Sequence, residues 1–289
     1  MITSIIFSKN RPLQLDLCLK SIKENFPQST QNIVIHNNSV EFGKAHLQQK
    51  KEHPDVEFWQ QTESLFCDIW DAVTEAKNDY VCFFVDDCIV YNKVFLKEIN
   101  LQNLEKDAVS CMSLRLGINI CERSHDGNVF PDKPATYGFS ECGGWMIVNK
   151  TANHYGSYWS YNLSVDGHIF KKSDMKDMVF ELWKISNLGN IMQFKKWKQT
   201  PNEFESALQR FWTITPAAIV CPFQSAVVNS PNNKVQDSHQ ENRSGDVFDY
   251  CEYSLLEKYE SGARINLDKI EFPAIKCPHT EIDILKGLK

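Results

Sequence analysis

The sequence predicts an α/β fold: a mainly parallel central sheet with helices on both faces and a smaller, irregular second half. Three observations point to it. Short apolar runs rich in β-branched and aromatic residues alternate with stretches of helical periodicity as far as Leu116. Polar, turn-forming residues follow the first, second and fourth of those runs, where an open α/β sheet gathers its ligands. The second half loses the alternation and breaks into shorter pieces.

Ile2–Ser8 is a strand, and Lys9, Asn10, Arg11 and Pro12 form a polar loop leading into an amphipathic helix with Leu13, Leu15, Leu17, Leu19 and Ile22. Asn32–His36 is a second strand, closed by Asn37, Asn38 and Ser39; Val56–Gln60 is a third, weaker one. Ser64–Lys77 carries Leu65, Ile69, Ala72, Val73 and Ala76 at helical spacing. The run beginning at Tyr80 is a buried central strand, followed by a helix over roughly Lys93–Leu104 and a strand over Val109–Leu116. Further on, Gly143 and Gly144 kink the chain before an apolar strand, and Asp166, Gly167 and His168 form a turn. Pro201–Trp212 reads as a helix with Asn202 as N-cap and acids in the first turn. Cys221–Val228 is a strand, Asn229–Asp237 a loop, Tyr253–Tyr259 a helix, and the last twenty residues a peripheral strand or tail. With no repeat and no linker, one domain over residues 1–289 is the economical division.

The chemistry concentrates at Asp86 and Asp87, two adjacent carboxylates where the run YVCFFV stops. Aspartates at the end of a buried strand need a partner to stay ionised, and a divalent cation is a simple one. The alternative is a β-turn with two solvated aspartates.

Bulk properties narrow the classes. The 289 residues are 42% hydrophobic, ample for a core, and the net charge of −6 with interspersed signs excludes the basic face that nucleic-acid binding needs. Ten cysteines without a CxxC pair argue against a zinc ribbon and for reduced thiols, hence a cytoplasmic setting. No signal peptide and no apolar stretch of membrane-spanning length is visible.

The segments SIIFSKNRPLQLDLCLKSI, NIVIHNNS, FFVDDCIVY, ECGGWMIVNK, PNEFESAL and QSAVVNSPNNKVQD, in this order, resemble a GT-A glycosyltransferase of the family-2 type. The resemblance implies a Rossmann-like nucleotide-sugar half over residues 1–117 and an acceptor half over 118–289. It implies transfer of a hexose from a nucleotide-diphosphate sugar, a UDP-sugar foremost, to a hydroxyl of a glycan or glycoconjugate, as in polysaccharide biosynthesis. Phe7, Ser8, Lys9, Asn10, Arg11, Asn37 and Asn38 would surround the nucleotide, with Arg11 suited to diphosphate or equally to capping the next helix.

Asp86 and Asp87 match the family's DxD pattern in part, because Cys88 takes the third place; Asp87 then holds Mn2+ or Mg2+ while Asp86 contacts ribose or a bridging water. Gly143 and Gly144 would let the backbone approach the donor sugar, and Trp145 stacks on a sugar or fills the core. His239 and His279 are the candidates for a third metal ligand. Glu205, ahead of Glu203 and Asp166, is the expected general base, the alternative for both glutamates being to complement the helix dipole. Two other readings stay open: a nucleotidyltransferase that makes the nucleotide sugar, disfavoured by a glycine-free SKNRP loop, and a non-catalytic nucleotide- or glycan-binding relative.

Overall fold

The computed structural model describes residues 1–97, 101–105, 109–125, 128–131, 140–142, 145–149, 158–159, 163–188, 200–211, 218–235 and 244–289. The chain opens with β1 (Ile2–Ser8), α1 (Pro12–Asn25), β2 (Ser29–His36), α2 (Gly43–Glu52), β3 (Val56–Gln60), α3 (Leu65–Glu75) and β4 (Tyr80–Val85). It continues through β5 (Cys88–Val90), β6 (Val109–Ser113), the hairpin β7 (Glu122–His125) and β8 (Asn128–Pro131), β9 (Ser140–Cys142) and β10 (Trp145–Asn149). Then come β11 (His168–Lys171), α4 (Lys172–Leu188), α5 (Pro201–Leu208), β12 (Ala218–Pro222), β13 (Val227–Asn229) and α6 (Glu252–Glu260).

The main sheet has nine strands in the order β3-β2-β1-β4-β11-β6-β12-β10-β9. Its first four are mutually parallel. Beyond them only β10 and β11 run the other way. The opening order is that of a doubly wound nucleotide-binding sheet. The fold is thus GT-A-like in layout, with a parallel half followed by a mixed one. All seven residues of β1 are buried, as expected of a central strand covered on both faces. One face carries Ile6, Val34 and Phe84 under Leu15, Leu19 and Ile22 of α1. The other carries Ile5, Ile33 and Phe83 under Ile69 and Val73 of α3 and Met175 and Val179 of α4.

Several expectations are corrected. Of the helix expected over Lys93–Leu104, residues 93–97 are not helical, residues 98–100 lie outside the described residues, Leu101 is helical and Gln102–Glu105 form a short 3-10 turn. The run at 221–228 is two strands, β12 and β13, separated by a bend. Two helices were not legible: α2, whose sequence GKAHLQQKKE has only a narrow apolar stripe, and α4. The C-terminal stretch is tied into the core rather than peripheral. Ile282 and Ile284 are buried, and Ile282 donates its N–H to Ser230 Oγ at 2.8 Å. The nine described cysteine side chains form no disulfide. No helix among the described residues is long and apolar enough to cross a membrane.

Under α2 lies a pair of buried imidazoles. The rings of His36, at the end of β2, and His46, on α2, are 3.6 Å apart between centroids, and none of their four nitrogens has a hydrogen-bond partner among the described residues. Burial pushes both basicities down, helped at His36 by His46 and Lys50 and at His46 by Lys50: His36 to about 3 and His46 to about 4, from an ordinary 6.5. The unfolded chain therefore takes up protons first as pH falls. Stability present above 6.5 is lost below it, at about 1.4 kcal/mol per pH unit for each ring until its folded-state value is reached. Urea unfolding between pH 7 and pH 4.5 should show this slope, and His46→Phe should flatten it. An unchanged slope in that variant would remove the pair from the account.

Candidate active site

Parallel register brings the ends of β1, β2 and β4 level, with Phe7 opposite both Ile35 and Val85. The three loops beyond them interlock, as expected from their sequence positions. Asn10 adopts a left-handed φ of 54°, which Asn tolerates better than most residues. Its N–H donates to Asn38 Oδ1 at 2.8 Å, while its own Oδ1 accepts from the Ser39 N–H at 2.8 Å. Ser8 Oγ and the Lys9 N–H both donate to Asp86 Oδ2, at 3.0 and 2.9 Å. Phe7 itself is core, stacked on Phe83 at 5.9 Å, rather than a wall of the crevice.

Arg11 is the partner of the aspartate pair. Its Nη1 donates to Asp86 Oδ1 at 3.0 Å and to Asp87 Oδ2 at 2.6 Å, with all three side chains at most 10% exposed. Its Nε donates to Asn233 Oδ1 at 2.8 Å and its Nη2 to the Asn233 carbonyl. Asn229 Nδ2 reaches Asp87 Oδ1 at 3.0 Å, so each carboxylate oxygen of the pair accepts a hydrogen bond. One guanidinium serves two carboxylates, and the compensation is incomplete. Burial, with Asp86 and Asp166 adding to it, keeps Asp87 above its ordinary range despite Arg11 and His279.

A second group of charges lies one residue further along. Cys88 Sγ donates to Asp166 Oδ1 at 3.8 Å, linking the two groups. Burial, then Asp166 and Asp87, raise the Cys88 thiol well above its ordinary value, so the third DxD place holds a neutral thiol. Asp166 Oδ2 meets Arg115 Nη1 and His279 Nε2, each at 3.2 Å. Burial alone would raise Asp166, but the hydrogen bond with His279 and the Arg115 guanidinium outweigh it and hold its carboxyl low. Gly167, at φ 68°, makes the turn that carries Asp166 into β11; a Cβ there would lie 3.1 Å from Val227.

Glu205 comes from α5, on a helix start fixed by Thr200 rather than by the expected Asn202. Thr200 Oγ1 accepts the Glu203 N–H at 3.3 Å and Glu203 Oε2 accepts the Thr200 N–H at 3.1 Å, a reciprocal capping box. Glu203 is thereby committed to the helix end, the structural one of its two readings. Glu205 Oε1 accepts the Val165 N–H at 3.1 Å. Burial and then Asp166 raise its carboxyl, against the lowering by Arg115 and by hydrogen bonds from Ser164 and the Val165 N–H.

The remaining sequence candidates divide. Trp145 is packed in the core, 4% exposed, with Nε1 donating to the Phe95 carbonyl at 3.4 Å, the core-filling reading of that residue. Gly143, Gly144 and His239 lie outside the described residues. His279 does reach the site, but its imidazole turns to Asp166 and to Tyr158 Oη rather than to Asp87. Sequence reading missed Arg115, Asn229 and Asn233. The cluster NSPNN was a signal for the two asparagines; a lone arginine after an apolar run gave none.

Four carboxylates, Asp86, Asp87, Asp166 and Glu205, face two guanidiniums, Arg11 and Arg115. The excess of carboxylates and their hard oxygen donors suit a divalent cation in charge, while both Asp87 oxygens already accept hydrogen bonds, from Arg11 and Asn229. Elsewhere, Asp16, Glu52 and His53 place one ligand atom each within 4.8 Å of one another, close enough to hold a metal ion. There Lys20 already pairs with Asp16, and Arg264 with Glu52.

No family model and no curated protein matches the chain. Among solved structures, it is similar to S. aureus TarS residues 1–349 in complex with UDP, at 16% identity and a TM-score of 0.46, covering 78% of this chain and 59% of that one. It is also similar to the mannosyltransferase PcManGT from Pyrobaculum calidifontis, in complex with GDP-Man and Mn2+, at 16% identity and a TM-score of 0.29, covering 39% and 34%. The chain spans less than two thirds of the length of either.

Proposed function

We propose that the chain is a glycosyltransferase that moves a hexose from a nucleotide-diphosphate sugar, a UDP-sugar foremost, to a hydroxyl of a glycan or glycoconjugate with inversion. The observation that carries this reading is the pair of carboxylates with opposed environments, Asp166 held low and Glu205 raised, beside an aspartate pair at the carboxyl ends of a Rossmann-like sheet. Ser8, Lys9, Asn10, Arg11, Asn37, Asn38 and Asp86 form the nucleotide side, and Asp87 would hold Mn2+ or Mg2+. Such a cation, when bound, neutralises charge on the departing diphosphate. Glu205 takes the proton of the attacking hydroxyl. The acceptor oxygen then bonds to the anomeric carbon as the bond to diphosphate breaks, with its electron pair leaving on the diphosphate. Asp166, ion-paired with Arg115 and hydrogen-bonded to His279, is the poorer proton acceptor.

Calorimetry with UDP, GDP, CDP and dTDP, each with and without Mn2+, tests the donor side. UDP should bind, with Mn2+ tightening it and Asp87→Asn removing the tightening. Binding of none of the four would end the transferase reading.

A further inference from the structure

A row of aromatic rings leads outward from the helix that carries Glu205. Phe204, its neighbour in α5 and fully buried, meets Phe66 of α3 edge-on at 5.8 Å between centroids. Trp70 lies one turn further along α3, on the same side as Phe66, and its ring is 5.8 Å from that of Phe180 on α4. Phe180 in turn stacks on Trp183 at 5.9 Å and 11°. We propose that the outer end of this row, Phe180 and Trp183, is a docking strip for a neutral glycan chain, the distal part of an extended acceptor. That this chain is the acceptor rests on the transferase reading; the chemistry of the strip does not.

An exposed patch built of large rings marks a binding surface, where a single exposed leucine marks nothing. Phe180 and Trp183 are 40% and 47% exposed, and among the described residues no other two exposed large apolar side chains stack on each other. The rings are also held in place. Lys184 Nζ sits 4.4 Å from the Phe180 centroid while donating to Glu181 Oε1 at 2.6 Å, and Lys176 Nζ sits 5.3 Å from the Trp70 centroid. Rings fixed in this way lose little freedom when a ligand lies on them. Charge decides which ligand that is. Helix α4 carries three lysines and three acids, so its face offers no net field for an anionic lipid surface or a nucleic acid. A sugar ring matches it: its C–H face packs on an aromatic ring, and its hydroxyls exchange hydrogen bonds with the ammonium and carboxylate groups alongside. The row starts beside Glu205, so the strip lies on the flank of the molecule that carries the candidate base.

Affinity electrophoresis of the full chain through native gels containing glycogen, galactomannan or hydroxyethylcellulose tests the strip. At least one of the three should retard migration. The retardation should be lost in the double variant Phe180→Ser/Trp183→Ser and kept in Phe180→Tyr/Trp183→Tyr, which preserves the rings. Both side chains are on the surface, so the serine variant should keep the wild-type urea midpoint; if it does not, Trp183→Ser alone carries the comparison. Retardation by none of the three, or equal retardation of the wild type and a folded serine variant, would overturn the proposal. So would sedimentation with phosphatidylglycerol vesicles, or self-association on size-exclusion chromatography, that the wild type shows and the serine variant loses. Retardation needs no donor, so its failure leaves UDP binding untouched. Retardation without UDP binding would keep the strip and end the transferase reading alone.

Discussion

Replacing Arg11 with alanine should cost the fold about 3–5 kcal/mol, because it leaves two buried carboxylates without their shared cation. Asp86 and Asp87 are 5% and 8% exposed, and Arg11 touches both while also tying Asn233 to the same point. The loss is that of stranding a charge rather than the net worth of the pair, and a cycle distinguishes the two. Adding Asp87→Asn to Arg11→Ala should recover part of the stability, since one of the stranded charges is gone. Urea denaturation of the three proteins reads both steps. A loss below about 1 kcal/mol would mean the ion pair is effectively solvated, as surface pairs are.

Glu205→Gln should lower transfer by about 10²–10⁴-fold, the range for losing a positioned general base. Stability should hold or improve at neutral pH. The folded-state carboxyl is raised above its unfolded value, so its contribution is fully present below the unfolded value and lost as pH rises through the folded one. The amide has no such loss. The wild-type rate should fall on the acid side at a higher pH than an ordinary glutamate would give. Equal turnover by Glu205→Gln and wild type would remove the base from Glu205, and full activity in Glu203→Gln is expected beside it.

The parallel half of the fold was legible because its central strands, β1 and β4, are covered on both faces and so read as largely apolar runs. Helix α2 was not, since its buried positions include His46 and Gln49, which no apolar periodicity reports. The aspartate pair announced itself by two charges closing a core strand. Its partner did not: Arg11 could equally have faced a diphosphate or capped α1, and only three-dimensional proximity decides. Arg115 was invisible for the same reason, since Asp166, which it meets, lies 51 positions away. Glu203 and Glu205 sit two apart on one helix and look alike in sequence. The capping box takes the first, and the turn from Ser164 to Asp166 orients the second.

The hydrogen bonds that close the site also set an order of events. Arg11 reaches Asn233 across 222 positions, Asp87 reaches Asn229 across 142, and Asp166 reaches His279 across 113. Closing loops of such length gives its reward late. The parallel strands β1, β2 and β4 come from early in the chain and can pair while most of it is still being made. The polar centre has to wait until residue 279 has left the ribosome. A nascent chain paused near residue 225 should therefore resist protease over β1–β4 yet fail to protect the loop around Asp86. Competence to bind a nucleotide would then report that synthesis has passed that point.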